Sequence, residues 1–107
     1  MTLTLEELWV KAAVEHRLVH VSYKNPETRL VYNKRDIRPE LVTADANGNP
    51  TLWGFLHHNP FVGLKAFSPK FFEGAKLTNE KFQPAPNSRW TELKTIYDQL
   101  GLAQKDA

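Results

Sequence analysis

The segment from residue 51 to residue 67, TLWGFLHHNPFVGLKAF, constrains the fold more than any other part of this 107-residue chain. Residues 51–57 alternate like a β-strand, but apolar side chains occupy both of its faces. One face carries Leu52, Gly54 and Leu56, and the other carries Trp53, Phe55 and His57. Since neither face is simply polar, we expect the strand to be covered on both sides or to form one wall of a binding groove. Residues 58–60, His-Asn-Pro, predict a turn, and residues 63–67 predict a returning strand.

The first predicted element is an amphipathic helix over residues 4–16. Thr4 and Glu7 form a capping-box pattern, in which the two side chains satisfy free amides at a helix start. Apolar residues then recur at helical spacing, at Leu5, Leu8, Trp9, Ala12 and Ala13. A helix this short is marginal alone, so it is expected to lie across an apolar surface.

Alternation and turn residues predict a series of short strands after this helix. The expected strands are residues 18–23, 28–32, 36–43, 51–57, 63–67 and 74–77. Pro39 predicts an edge position, a bend or a bulge in its strand. Residues 45–50 predict a tight turn, because the Asn-Gly pair at 47–48 tolerates positive φ. Pro69 predicts a helical turn between the last two strands.

A stiff Pro-Ala-Pro segment at residues 84–86 precedes a second predicted helix. Asn87 or Ser88 is expected to cap its start, and Gly101 its end. Its apolar face would carry Trp90, Leu93, Ile96, Tyr97 and Leu100. The last four residues are expected to fray.

A helix, five or six short strands and a terminal helix indicate a small, mainly β domain of the α+β class. Strands this short leave edges that closure would remove, so we expect a strongly bent sheet or a partly open barrel. The length suits one compact domain. We divide it into residues 1–83, the first helix and the barrel, and residues 84–107, a linker and helix that pack on the same domain.

The composition excludes several classes of function. The chain has no cysteine, which removes disulfides, thiolate nucleophiles and Cys-based metal sites. No apolar run is long enough to span a membrane, and the N-terminus lacks a secretory signal, so a cytoplasmic protein without membrane contact is expected. The sequence shows no nucleophile–base pair, phosphate-binding Gly-rich loop or His-Glu-x-x-His motif. We therefore predict no enzymatic activity, no catalytic residue, no cofactor and no metal site.

The net charge of +2 and the pI near 9.0 give a mild basic bias that is unevenly distributed. One cluster comprises Lys24, Arg29, Lys34, Arg35 and Arg38, and a later group comprises Lys65, Lys70, Lys76 and Lys81. Near Tyr23 and Tyr32, the first cluster is either a strip for single-stranded nucleic acid or an ordinary solvated surface. Trp53 and Phe55 are either a base-stacking platform or core residues under a helix. His57, close to Lys65 across the hairpin, could contact an anion.

Several stretches, taken in order, resemble the WYL domain family over residues 8–82. HRLVHVSY at residues 16–23 resembles the family's step from an amphipathic helix into a strand that ends in Tyr. Arg38-Pro39 with the following Glu-Leu-Val resembles its next extended segment, and Leu52-x-Gly54-Phe55 resembles its signature strand. Its closing pattern is matched by Lys65-Ala66-Phe67 and by Lys76-Leu77-Thr78-x-x-x-Phe82.

The resemblance implies an SH3-like, Sm-type barrel and a regulatory module that senses nucleic acid or a nucleotide-like ligand. It also implies a free-standing version, because 107 residues leave no room for the winged helix that usually precedes this domain. The signature Trp-Tyr-Leu is replaced by Pro50-Thr51-Leu52. Both arginines of the family's later Phe-Arg-Leu-Asp-Arg-Ile segment are missing from residues 67–72. These departures affect the ligand inference more than the fold inference.

The preferred functional hypothesis is a non-enzymatic, WYL-like regulatory module that binds an anionic ligand, either single-stranded nucleic acid or a nucleotide. The predicted binding residues are Arg29, Arg35, Arg38, His57, Lys65 and Lys70, with Tyr23 and Trp53 for stacking. The alternative is a protein-interaction or oligomerisation module, of the kind a phage or mobile element encodes, in which the barrel is a scaffold. Its contact with a protein partner or a second copy would use Trp90, Leu93, Ile96 and Tyr97.

Overall fold

The computed structural model describes residues 3–105 of the chain, in which five β-strands form one antiparallel sheet with the order β4-β3-β2-β1-β5. The elements are α1 (Leu5–Glu15), β1 (Arg17–Asn25), β2 (Leu30–Ala44), β3 (Pro50–Leu56), β4 (Lys65–Phe67), β5 (Phe72–Lys81) and α2 (Lys94–Gln99). Short 3-10 turns lie at Pro60–Val62, Pro69–Phe71, Trp90–Leu93 and Leu102–Gln104. The predicted fold class, mainly β with a helix near each end, is confirmed. None of the helices among residues 3–105 combines the length and apolarity needed to span a membrane.

The N-terminal helix forms as its capping pattern predicts. The Thr4 hydroxyl accepts the backbone N–H of Glu7 at 3.2 Å, and the Glu7 carboxylate accepts that of Thr4 at 2.9 Å. The helix ends at His16, whose φ of 57° is left-handed. Its buried Trp9 ring lies 5.8 Å from that of Phe67 and 5.9 Å from that of Phe72. The expected apolar surface under α1 is therefore the inner face of the sheet.

The prediction of separate strands at residues 28–32 and 36–43 is wrong, because both belong to the single strand β2. A bulge interrupts the pairing of β2 with β1 at this point. Lys34, in this region, has a left-handed φ of 53°, and its backbone N–H lies 3.4 Å from the Ser22 hydroxyl. The chain thus bends without leaving the sheet.

The sheet curls strongly around the core. In a flat sheet of this order, the edge strands β4 and β5 would be separated by four strand spacings, about 19 Å. The ring of Phe67 in β4 lies only 5.8 Å from that of Phe72 in β5, and 5.1 Å from that of Tyr23 in β1. A second bulge in β2 follows Pro39 in the pairing with β3, as that residue predicts. Among residues 3–105, β4 and β5 are not paired with each other by strand hydrogen bonds, so the sheet is bent but open.

The C-terminal helix is shorter than predicted and has a different start. A 3-10 turn at Trp90–Leu93 leads into α2, and no side chain caps either element. The Ser88 hydroxyl instead donates to the Glu40 carboxylate at 3.0 Å, and the backbone N–H of Arg89 donates to the same carboxylate at 2.6 Å. Gly101 follows the helix with a left-handed φ of 63°, as expected for a C-terminal glycine.

Polar contacts hold this C-terminal segment against α1. The Tyr97 hydroxyl donates to Glu15 at 2.6 Å, and the buried Lys11 ammonium donates to Glu15 at 2.9 Å and to the Leu102 carbonyl at 2.7 Å. Leu93 and Tyr97 are buried in their own chain, which removes them from the partner surface that the sequence predicts. Of that surface, Ile96 remains exposed.

Candidate anion-binding site

The loop that follows β3 folds back against β2 and builds a polar corner. The backbone N–H of His57 donates to the Asp36 carbonyl at 3.0 Å, and that of Asn59 donates to the Leu56 carbonyl at 3.3 Å. This pairing extends the β2–β3 contact beyond the end of β3. The side chains of the loop therefore lie beside the middle of β2, where Arg35 and Arg38 are found.

A hollow of about 290 Å³ lies between β2 and this loop, and we call it the β2 hollow. Its apolar lining residues are Val31, Tyr32 and Leu56, and its polar lining residues are Arg35, Asp36, His58 and Asn59. Ligand pockets range from about 300 to 1,000 Å³, so this hollow lies at the lower limit, the size for one small ligand. Burial raises the pKa of the Tyr32 phenol, so this hydroxyl stays protonated and can donate at neutral pH.

The Asp36 carboxylate in the β2 hollow is faced by two imidazoles. Nδ1 of His20 lies 2.8 Å from one carboxylate oxygen, and Nε2 of His58 lies 3.7 Å from the other. Since an ionised carboxylate only accepts, Nδ1 of His20 is the donor. Arg35 does not share in this arrangement, and its guanidinium forms no ion pair among the described residues.

Arg38 lies in a hydrogen-bonded pair with His57. Its Nε donates to Nδ1 of His57 at 3.0 Å, and its Nη2 donates to the His57 carbonyl at 3.3 Å. Burial, and then the positive charges of Arg38 and His58, lower the pKa of His57. His57 is therefore neutral at pH 7, accepts at Nδ1 and carries its proton on Nε2. The pairing fixes the Arg38 fork while leaving some of its five N–H donors for another acceptor.

Arg38 also lines a second concave site of about 320 Å³, which we call the β3 groove. Its other lining residues are Glu40, Phe55, Pro60, Phe82, Gln83, Pro84, Ala85 and Asn87. The Glu40 carboxylate already accepts the two hydrogen bonds from the C-terminal segment that are described above. The Arg38–His57 pair thus stands where the loop after β3 passes from the β2 hollow to the β3 groove.

The structure brings together only part of the predicted binding set. Arg35, Arg38 and His57 lie on β2 and the loop after β3, as expected from the basic cluster. Arg29 lies in the β1–β2 turn with a left-handed φ of 61°. Lys70 lies in the turn before β5, with its ammonium 5.0 Å from the Phe71 ring centroid, and lines a separate hollow of about 510 Å³.

Lys65 begins the edge strand β4, where it pairs in register with Gly54 of β3. It is half-buried and forms no ion pair among residues 3–105. Contact between this residue and an anion remains a prediction.

The stacking role predicted for Tyr23 does not agree with its position. Its side chain is fully buried, and its hydroxyl accepts from the backbone N–H of Ser68 at 3.0 Å and from the Asn25 amide at 3.1 Å. A ring with no exposed face cannot stack on a base. Trp53 is half-buried, and its indole N–H donates to the Thr43 hydroxyl at 2.8 Å.

Sequence reasoning missed the contribution of the loop after β3. His58 and Asn59 line the β2 hollow, and Phe61 is the most exposed large apolar residue described, with 96% of its surface accessible. The available signal was turn chemistry, Asn59-Pro60 before the apolar pair and Gly63 after it. An apolar pair enclosed by turn residues is held at a loop tip and not in a strand.

Ion pairs are distributed unevenly over the surface. Among residues 3–105, the pairs between Lys or Arg and an acid are Lys11–Glu15, Arg17–Glu15, Arg89–Glu92, Lys94–Asp98 and Lys105–Glu7. All of them involve α1, the residues just after it, or the C-terminal segment. The cations around the strands, Arg29, Lys34, Arg35, Arg38, Lys65 and Lys70, form none. The described cations of the strand side therefore lack the close ion pairs that α1 and the C-terminal segment have, although acids such as Asp36 lie among them.

Comparison with known proteins shows a likeness of fold. No family model matches the chain, and no curated protein matches it. A solved structure, proteasome accessory factor B/C (PafBC) of Arthrobacter aurescens, is similar with a TM-score of 0.56 and 15% sequence identity. The match covers 78% of this chain and 13% of PafBC, so the chain spans a small part of that protein. At this level of identity the comparison supports a shared fold and nothing further.

Proposed function

We propose that this chain is a WYL-like regulatory module that binds an anionic, nucleotide-like ligand in the β2 hollow, either a free nucleotide or one unit of a single strand. The observation that carries the proposal is the juxtaposition of a small hollow with Arg35, which lines it and has no ion-pair partner among residues 3–105. Arg38 lines the neighbouring β3 groove and donates to His57, which lies between Leu56 and His58 of the hollow's lining.

The chemistry of the hollow suits the two parts of a nucleotide. A guanidinium presents a planar fork of donors that matches two phosphate oxygens, so Arg35 is the expected phosphate ligand. Tyr32 and Leu56 offer an apolar wall to a base. Asn59 can both donate to and accept from a base edge, and Asp36 can accept from an exocyclic amine.

Asp36 would by itself repel a phosphate in this hollow. His20 and His58 face its carboxylate and occupy one oxygen each. Arg35 forms no ion pair with Asp36 or with any other described acid, so its guanidinium is available to an anion. Asp36 is left as an acceptor that selects among bases.

The regulatory part of the proposal draws on the likeness of fold to PafBC and on the resemblance to WYL domains. We assign binding without catalysis to this site. Protein interaction through Ile96 is the weaker alternative, because two of the four residues predicted for it are buried.

Equilibrium binding across a salt series tests the proposal. We would measure fluorescence anisotropy of a labelled single-stranded oligonucleotide, with unlabelled mononucleotides as competitors. Each phosphate contact in a single strand contributes a slope of about −0.7 in log K against log salt. Arg35→Ala is therefore expected to weaken binding and to make the slope shallower by about 0.7.

The matched control is Arg89→Ala, which removes an exposed arginine that is already paired with Glu92. We expect this variant to bind like the wild type. Absence of binding by the wild-type chain at low salt would refute the proposal. Equal loss in both arginine variants would show that binding follows net charge and not the β2 hollow.

A further inference from the structure

The loop between β3 and β4 displays apolar side chains on a constrained backbone. Phe61 is 96% exposed, Val62 44% and Leu64 43%. The 3-10 turn Pro60–Val62 begins with proline, and the following Gly63 has a φ of 87°. The backbone N–H of Gly63 closes the turn by donating to the Pro60 carbonyl at 3.2 Å. The Phe61 ring is thus held in solvent, although an apolar-lined groove begins at the preceding residue.

This loop continues directly from the proposed site. Asn59 lines the β2 hollow and Pro60 lines the β3 groove. Phe61 follows two residues after Asn59, which limits their separation along the backbone to about 7 Å. A ligand that extends from the hollow toward the groove would therefore run close to the backbone of this loop, within reach of the exposed Phe61 ring.

The charge around the loop indicates the chemistry of its occupant. Residues 57–65 contain Lys65 and two histidines and no acid. The β2 acids beside the loop, Asp36 and Glu40, already accept hydrogen bonds from His20, Ser88 and Arg89. If two copies of this chain met through this loop, the positive charges of one copy would repel those of the other. An anionic occupant is complementary to them, and a single-stranded nucleic acid also supplies flat rings for an exposed aromatic side chain.

We infer that Phe61 is a stacking subsite for a base of a single-stranded nucleic acid whose neighbouring nucleotide occupies the β2 hollow. The inference rests on the proposed function and extends it from one nucleotide to at least two. Stacking on an exposed ring accepts any base, because every base has a π-face. Val62 and Leu64 add exposed apolar surface to the same loop. This subsite takes the stacking role that the sequence predicts for Tyr23.

Comparison of mononucleotides with short oligonucleotides tests the inference. Phe61→Ala should lower the affinity for an oligothymidylate by about five- to hundred-fold, as expected for loss of one stacked base, and leave mononucleotide affinity unchanged. Phe61→Trp should retain oligonucleotide binding. The matched control Ile96→Ala removes a 42% exposed apolar side chain on α2 and should change neither affinity.

The outcomes separate this inference from the proposed function. If Arg35→Ala weakens oligonucleotide binding and Phe61→Ala does not, the stacking subsite is refuted and the β2 hollow stands. If the wild-type chain binds neither ligand, the proposed function fails and this inference fails with it. A dimer that depends on Phe61, or Phe61-dependent binding to anionic phosphatidylglycerol vesicles with no effect on the oligonucleotide, would also refute the subsite.

Discussion

Replacement of Gly54 by alanine tests the close packing between the sheet and α1. A Cβ atom added to this residue of β3 would lie 2.7 Å from Cγ2 of Ile37, 2.8 Å from the Arg38 carbonyl oxygen and 3.2 Å from Cζ2 of Trp9. The φ of Gly54 lies outside the left-handed region, so the backbone itself can accept an alanine. Only the lack of space opposes the substitution.

The expected magnitude follows from two opposing terms. Overpacking a core by a methyl group costs typically about 1–3 kcal/mol. The Arg38 carbonyl belongs to β2, which pairs with β3, so it cannot move without displacing the sheet. The lower entropy of the unfolded chain offsets about 0.4–1 kcal/mol of this cost. We therefore expect Gly54→Ala to lower the free energy of unfolding by about 1–2 kcal/mol.

Gly74→Ala is the matched control, because a Cβ at this position of β5 meets no atom within 4 Å. It should leave the stability unchanged or raise it by about 0.5 kcal/mol. Urea unfolding followed by tryptophan fluorescence measures both variants. With a slope of about 1 kcal/mol per molar urea, the Gly54→Ala midpoint should fall by about 1–2 M. A Gly54→Ala midpoint at or above that of the wild type would refute the packing argument.

Three further predictions concern polar contacts. Tyr97→Phe removes a hydrogen bond to Glu15, so the melting temperature should fall by about 5 °C in calorimetry. Burial and this bond raise the pKa of Tyr97 to about 12. The wild type should therefore keep the stabilisation from this hydrogen bond below pH 10 and lose it as the pH rises through 12. Arg38→Ala should raise the pKa of His57 in an NMR titration but leave it below 6.5, since burial is the larger cause. Because folded wild type binds this proton more weakly than the unfolded chain, its stability should fall as the pH drops through 6.5, and by less in Arg38→Ala. Glu40→Gln should cost about 1–2 kcal/mol and speed amide hydrogen exchange in the C-terminal segment, and unchanged exchange would contradict the anchoring role.

Features set by neighbouring residues were predictable from the sequence. The capping box at Thr4, the bulge at Pro39 and the turn at Gly48 each depend on side-chain chemistry within a few residues. The continuity of β2 was not predictable in this way. Lys34 adopts a left-handed φ that its residue type disfavours, and the pairing of β2 with β1 imposes it.

The C-terminal segment shows the same limit at longer range. Ser88 is a good capping residue by type, but its hydroxyl donates to Glu40, which lies 48 residues away in sequence. No local sequence pattern indicates that the Glu40 carboxylate is buried and requires hydrogen-bond donors. The helix consequently begins later, and the apolar face predicted for it is divided between core and solvent.

Candidate site residues were predictable by type and not by exposure. The basic cluster contained Arg35 and Arg38 because closely spaced Lys and Arg residues are conspicuous in any sequence, whereas their lack of ion pairs appears only in the structure. Whether an aromatic ring is buried depends on the curvature of the whole sheet, which brings the rings of β1, β4 and β5 together around Tyr23. Phe61, whose ring is exposed, lies between a predicted turn and a predicted strand, so the sequence did not single it out.

The distribution of ion pairs explains why a net charge of +2 understates the basic character of the proposed site. Acids on α1 and the C-terminal segment are largely occupied by nearby lysines and arginines, which cancels charge on that side of the molecule. The acids remaining near the strands include Asp36, which is faced by two imidazoles. Unpaired exposed cations contribute little to folding, and their mutual repulsion opposes it. The fold therefore does not require cations without close ion pairs on the strand side, whereas the anionic ligand proposed above would give them a partner.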